Sequence, residues 1–156
     1  MTLSSETSLE LVELAKAKGV RLMVGHVLLF HPAIRKIKEV IDDGKIGELY
    51  YIYSNRLNLG TVRTEENVFW SFAPHDVSVL NYFVGANSEF IESKGAKFLQ
   101  KNVYDYTMTQ LTYPNNIHAH IFVSWLHPFK EHRLVVIGSR GMISFEDSSP
   151  EKEIKF

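Results

Sequence analysis

From Glu48 to Leu59 the chain reads ELYYIYSNRLNL, and here its apolar period changes to two. Alternation of this kind makes a β-strand with one apolar and one mixed face. The sequence on its N-terminal side has a different rhythm. HPAIRKIKEVIDDGKIG (His31–Gly47) carries Pro32 near a first helical position, Ile34, Ile37, Val40 and Ile41 on one face, and Gly44 as a stop, which predicts an amphipathic helix over Pro32–Asp43. Further back, SSETSLELVELAKAKG offers Ser4 or Ser5 as an N-cap, Leu9, Val12, Leu14 and Ala15 at broadly helical spacing, and Gly19 as terminator. Between these helices VRLMVGH reads as a short buried strand that delivers His26 at its end.

On the C-terminal side, the polar GTVRTEEN leads into NVFWSFAPHDVSVLNYFVG (Asn67–Gly85). There Val77, Val79, Leu80 and Phe83 predict a third helix, opening at Pro74 and closed by Gly85. EFIESKGAKF, DYTMTQLTY, IHAHIFVSW, HRLVVIG and GMISFE then read as strands, with PNN and SRG as turns. Short connections between consecutive strands predict an antiparallel meander. The expected fold class is α+β, an open, mostly antiparallel sheet with helices on one face. The first helix and strand resemble the last rung of a parallel layer whose other strands are not in the sequence. The final stretch, Asp147 to Phe156, runs into polar residues without closing a helix. The expectation is a piece of something longer.

Composition narrows the partners. Seventeen basic and eighteen acidic residues among 156 leave a formal net charge of -1, so there is no general electrostatic attraction to nucleic acid or an anionic membrane. No apolar run is long enough to cross a bilayer, since Arg21 and His26 break the longest. Cysteine is absent, which removes disulfides, thiolate nucleophiles and cysteine zinc sites and suits a cytoplasmic setting. Redox chemistry would need a borrowed cofactor.

His75 and Asp76 stand side by side at the expected start of the third helix. An imidazole there suits proton transfer near neutral pH, while Asp76 is either a partner for such a ring or an ordinary helix cap. His26 and His31 flank a turn between strand and helix, a usual place for ligand contacts, and serve equally well as capping residues. Arg56, Asn58, Arg63 and Asn67 supply donors suited to phosphate or sugar hydroxyls. His118 and His120, two apart on a strand, share a face and could begin a metal site with His127 or His132, but outward polar residues have the same spacing, and no metal is assigned. The G-x-G-x-x-G, P-loop, H-E-x-x-H and G-x-S-x-G patterns do not occur.

In their order, LVELAKAKGVRLMVGHVLLFHPAIRKIKEVIDDGKIGELYYI, NRLNLG, ENVFWSFAPHDVSVLNYFVG and VVIGSRGMISFED resemble the Gfo/Idh/MocA oxidoreductases, in particular the sugar-nucleotide 3-dehydrogenases acting on UDP-N-acetylaminosugar uronates. The resemblance implies a Rossmann domain, of which residues 1–26 would be the last helix and strand, and a C-terminal α+β substrate and oligomerisation domain over 27–156, truncated at its end. It implies NAD(P) as cofactor of the complete enzyme, with none bound by this chain alone. The family's histidine, in an Asp-x-x-x-His pattern, falls on His75, with Ser71 in place of the aspartate. Gly25–His26 and Phe30–Pro32 match the segment near nicotinamide and substrate, which makes His26 a cofactor-side candidate and His31 a substrate-side one. Arg56, Asn58, Arg63 and Asn67 join the substrate side because they lie in the matched stretch before His75.

The resulting expectation is the substrate-side, oligomer-forming part of a sugar or sugar-nucleotide dehydrogenase, inactive without its cofactor-binding half. Its partners would be a second copy through the open sheet face, a separate Rossmann chain and a small sugar nucleotide. The alternative is a stand-alone, non-catalytic binding or assembly module of the same fold.

Overall fold

The structure, a computed structural model, describes Thr2 and residues 4–156. Among these residues are three α-helices, α1 (Ser5–Lys18), α2 (Pro32–Asp42) and α3 (Val68–Val84). One sheet holds β1 (Leu49–Leu59), β2 (Phe90–Ala96), β3 (Tyr106–Tyr113), β4 (Ile117–Ser124), β5 (Leu126–Gly138), β6 (Met142–Glu146) and β7 (Ile154–Lys155). The α+β class is as the sequence implied.

Period-two burial organises the sheet. Ile52 and Ser54 on β1, Ala119, Ile121 and Val123 on β4, and Leu134 and Val136 on β5 point to one buried face. Ile34, Ile37 and Val40 of α2 and Val79, Leu80 and Phe83 of α3 complete the core above it. Tyr113 carries a polar tip into this layer. Its hydroxyl donates to Asn81 Oδ1 of α3 at 2.8 Å, and burial pushes the phenol up to about 12.

Three expectations need correction. The first concerns Val20–His26, which is irregular rather than a strand, with Val20, Leu22 and Met23 exposed. A buried strand needs hydrogen-bond partners along its edges and cover for its side chains, and among the described residues it has neither. Helix α1, with no buried residue among its fourteen, shares this lack of cover.

The second concerns the sheet order, β2-β3-β4-β1-β5-β6-β7, which is not a plain meander. β1 lies between β4 and β5, parallel to the first and antiparallel to the second. Trp125 alone separates β4 from β5 in sequence and is 1% exposed, so the chain crosses past the end of β1 with its largest side chain buried. Turn signals between neighbouring strands carried no information about a third strand inserted between them.

The third concerns α3, which begins at Val68 rather than at Pro74. Asn67 is its cap, accepting from the Trp70 N–H at 3.0 Å, and Pro74 lies inside the helix. His75 and Asp76 are therefore mid-helix residues. Gly85, at φ 76°, closes the helix in the left-handed conformation that glycine adopts without strain.

Ile121 sits at the centre of β4, fully buried against the helices. Ile121→Ala is expected to cost about 2–5 kcal/mol of stability. The check is a fall in the urea midpoint with an unchanged denaturant slope.

Candidate functional site

Alternation along β1 places Arg56 on the same covered face as Ile52 and Ser54. Its guanidinium meets Asp76 of α3 as a fork: Nε donates to Oδ2 at 3.0 Å and Nη2 to Oδ1 at 3.0 Å. Ser54 Oγ also donates to Oδ1, at 2.8 Å. The Asp76 side chain is 5% exposed and that of Arg56 15%. A carboxylate this deep stays ionised only when paired and hydrogen-bonded, and three donors meet that need. Asp76 therefore clamps the helix to the sheet and does not cap it.

The clamp extends to β5. His132 lies opposite Arg56 in the strand register, its Nδ1 3.5 Å from Arg56 Nη1. Its main-chain N–H donates to Glu146 Oε1 at 2.8 Å, and Asp147 N–H donates back to the His132 carbonyl at 3.0 Å. The space among Ser54, Arg56, Asp76, His132 and Asp147 measures only about 20 Å³, room for one water and too small for a sugar.

His75 precedes Asp76 by one residue, about 100° round the helix. Its ring meets His26 edge-on, with centroids 6.2 Å apart and planes at 88°. Nδ1 is buried and has no hydrogen-bond partner among the described residues. Burial, then the positive charge of Arg56, holds the His75 pKa below the usual histidine value; Asp76 opposes this and His26 adds to it. The environment thus favours the neutral imidazole at His75, and its buried Nδ1 has no partner among the described residues.

The remaining sequence candidates fall elsewhere. His31 caps α2, its Nδ1 accepting from Ala33 N–H at 3.2 Å, and its ring leans on Phe145 at 5.4 Å. Asn67 caps α3, about 12 Å along the helix from His75. Arg63 is exposed and paired with Glu66 at 2.7 Å. Asn58 is half-buried near the end of β1. Only His26, His75 and Arg56 converge. Sequence reasoning missed Ser54, Asp147 and the true role of Asp76. Polar residues spaced by two from Ile52 were the available signal, because they had to face the core.

His118 and His120 lie on the opposite, open face of the sheet, His120 stacked on Tyr53 at 5.2 Å. His132 faces the helices, so the sheet separates it from that pair. Among the described residues no three His, Asp or Glu side chains gather as metal ligands. The larger concavities also lie away from His75, one of about 490 Å³ beside His118 and His120, another of about 750 Å³ along Thr61–Glu66. They are open surface troughs, and His75 is not in their walls. Among the described residues no helix is long and apolar enough to cross a membrane.

Val20–His26 is irregular, and a Cβ added at Gly25 would meet nothing within 4 Å, so the backbone there faces open space.

Solved structures with this fold include a dehydrogenase. The WlbA dehydrogenase from Bordetella pertussis, in complex with NADH and UDP-GlcNAcA, superposes with a TM-score of 0.82 at 19% identity, over 96% of this chain and 51% of that one. GenD2 from gentamicin A biosynthesis, in complex with NAD, gives 0.84 at 16%, over 93% and 45%. In sequence, the uncharacterized oxidoreductase YrbE of Bacillus subtilis is 28% identical across 93% of this chain and 46% of its own length. The GFO/IDH/MocA C-terminal domain profile matches residues 34–144, and the chain belongs to this family. It spans about half the length of the relatives it matches.

Three imidazoles, His75, His120 and His132, are held below the usual value, each first by burial. Unfolding lets them take up protons at higher pH than the folded chain does. Their contribution to stability is therefore present above about pH 6.5 and lost as pH falls through the folded-state values. The urea midpoint is expected to drop between about pH 7.5 and about pH 5.5, and less steeply in His75→Gln.

Proposed function

We propose that this chain is the substrate-side and oligomer-forming part of an NAD(P)-dependent sugar or sugar-nucleotide dehydrogenase, with His75 as the proton carrier at the reacting hydroxyl. The observation that carries the reading is the orphaned, neutral ring of His75 beside His26. When a hydroxyl is oxidised to a carbonyl, its O–H bond breaks and the proton goes to a base, while hydride leaves the same carbon for the dinucleotide. An imidazole that burial holds below its usual pKa, and so favours in the neutral form, suits the first role. The dinucleotide would be held by a Rossmann unit beyond these residues, with His26 on the cofactor side of His75. UDP-uronates are favoured as substrates by the sequence resemblance and by the ligand named for WlbA.

The open sheet face supports a second-copy partner. Tyr51 and Met108 are exposed there and Tyr53 stacks on His120, a surface more apolar than water favours. Two such faces packed together would cover both, and a two-fold axis makes one patch serve each copy. The same observation is the ground for the alternative, a non-catalytic assembly module, which would keep this face and not need His75.

In the full-length enzyme, His75→Gln is expected to lower kcat by roughly 10²-fold or more with a smaller change in KM, measured by steady-state kinetics with a nucleotide sugar. An unchanged kcat would return the chain to the module reading. Light scattering at micromolar concentration is expected to give at least twice the mass of one chain, and a strictly monomeric result would remove the pairing of open faces.

A further inference from the structure

We propose that Arg56 is the positioning residue for His75: its guanidinium, forked onto Asp76, sets the rotation of α3 just past Pro74 so that the His75 ring faces His26. The inference rests on the assignment of His75 as proton carrier and deepens it.

The need for such a device follows from the helix. Pro74 has no N–H to return to the Trp70 carbonyl four residues back, so the ladder is interrupted one residue before His75. Backbone hydrogen bonds therefore hold this turn less firmly than those on either side. The direction of residue 75 has to be fixed by something outside the ladder. Asp76 supplies the anchor point, and β1 supplies both groups that hold it, Arg56 at 3.0 Å through two nitrogens and Ser54 at 2.8 Å. A planar fork on a carboxylate restrains rotation as well as distance, which a single lysine ammonium would not. With Asp76 turned to the sheet, the next residue back is turned about 100° away, toward the segment that carries His26. Arg56 is itself steadied at its third nitrogen by His132 of β5.

The same groups set the charge that the ring senses. Arg56 from β1 disfavours protonation of His75, Asp76 on its own helix favours it, and His26 from the segment before α2 disfavours it. Loss of either charge shifts the titration of His75 by electrostatics alone, and loss of positioning shows in the ring contact as well.

Both are readable by NMR on the whole chain, with the ring protons of His26 and His75 followed through a pH series. Arg56→Gln is expected to raise the His75 pKa, because Asp76 is then left without its counter-charge, and Asp76→Asn to lower it, because Arg56 is. Both should weaken the ring–ring cross-peak between His26 and His75, and Arg56→Lys should restore the titration but not the cross-peak. Folded single variants that kept the cross-peak, whatever their titration, would overturn the proposal. Breaking a buried pair can unfold a protein, so the double variant Arg56→Met with Asp76→Leu, which removes both charges together, provides the second arm. It should lose the cross-peak while its sheet amides stay dispersed, and a folded double variant that kept the cross-peak would equally overturn the proposal. None of these signals requires turnover, so failure here is distinct from failure of the kinetic test on His75.

Discussion

Asp76 is a charged side chain under a helix, and it is tolerable there only because β1 brings Arg56 and Ser54 to meet it. Desolvating a carboxylate costs several kcal/mol, and three short hydrogen bonds with a guanidinium fork offset that cost at one place on the sheet. Sliding β1 by a single residue would turn Arg56 to the open face and leave the carboxylate stranded. The pair therefore ties together the register of β1 and the seating of α3. Since β1 is the strand between β4 and β5, that register is shared with both halves of the sheet. The clamp and the architecture are one constraint seen at two scales.

Much of this could be read beforehand where the sequence has strong local periodicity. Ile34, Ile37 and Val40 announced α2, and alternation announced β1, β3 and β4, because burial of one face imposes a pattern that few other structures share. What could not be read had non-local causes. The neighbours of β1 are chosen by pairing across some seventy residues, and nothing near Glu48 encodes them. Pro74 suggested a helix start, yet Asn67 had the better cap geometry and the tertiary contacts tolerate a proline at the end of the second turn. Val20–His26 had the composition of a buried strand without neighbours to bury it.

The site was legible in part for the same reason. His75 and His26 stood out as residue types, but their convergence depends on how α3 sits, which local spacing does not fix. Arg56 and Asp76 were read as a donor for substrate and a helix cap, each a sound reading of a residue in isolation. Burial changes both. A charged pair on the covered face spends its hydrogen-bonding capacity internally, so Arg56 can act on a ligand only through what it holds in place.

The two unfinished surfaces differ in kind. On the open sheet face the exposed groups are spread at strand spacing and mixed with Thr and His. Along α1 and Val20–Val27 the exposed groups include Leu9, Leu14, Val20, Leu22, Met23 and Val27, in a segment with no buried residue in α1 and, among the described residues, no strand partner. Backbone polar groups in such a run have hydrogen bonds to gain as well as apolar area to lose, so what covers it should supply a strand edge and not only a flat face. His26 lies at the end of this run and against His75. Any element that packed on the run would therefore act directly on the pair of imidazoles.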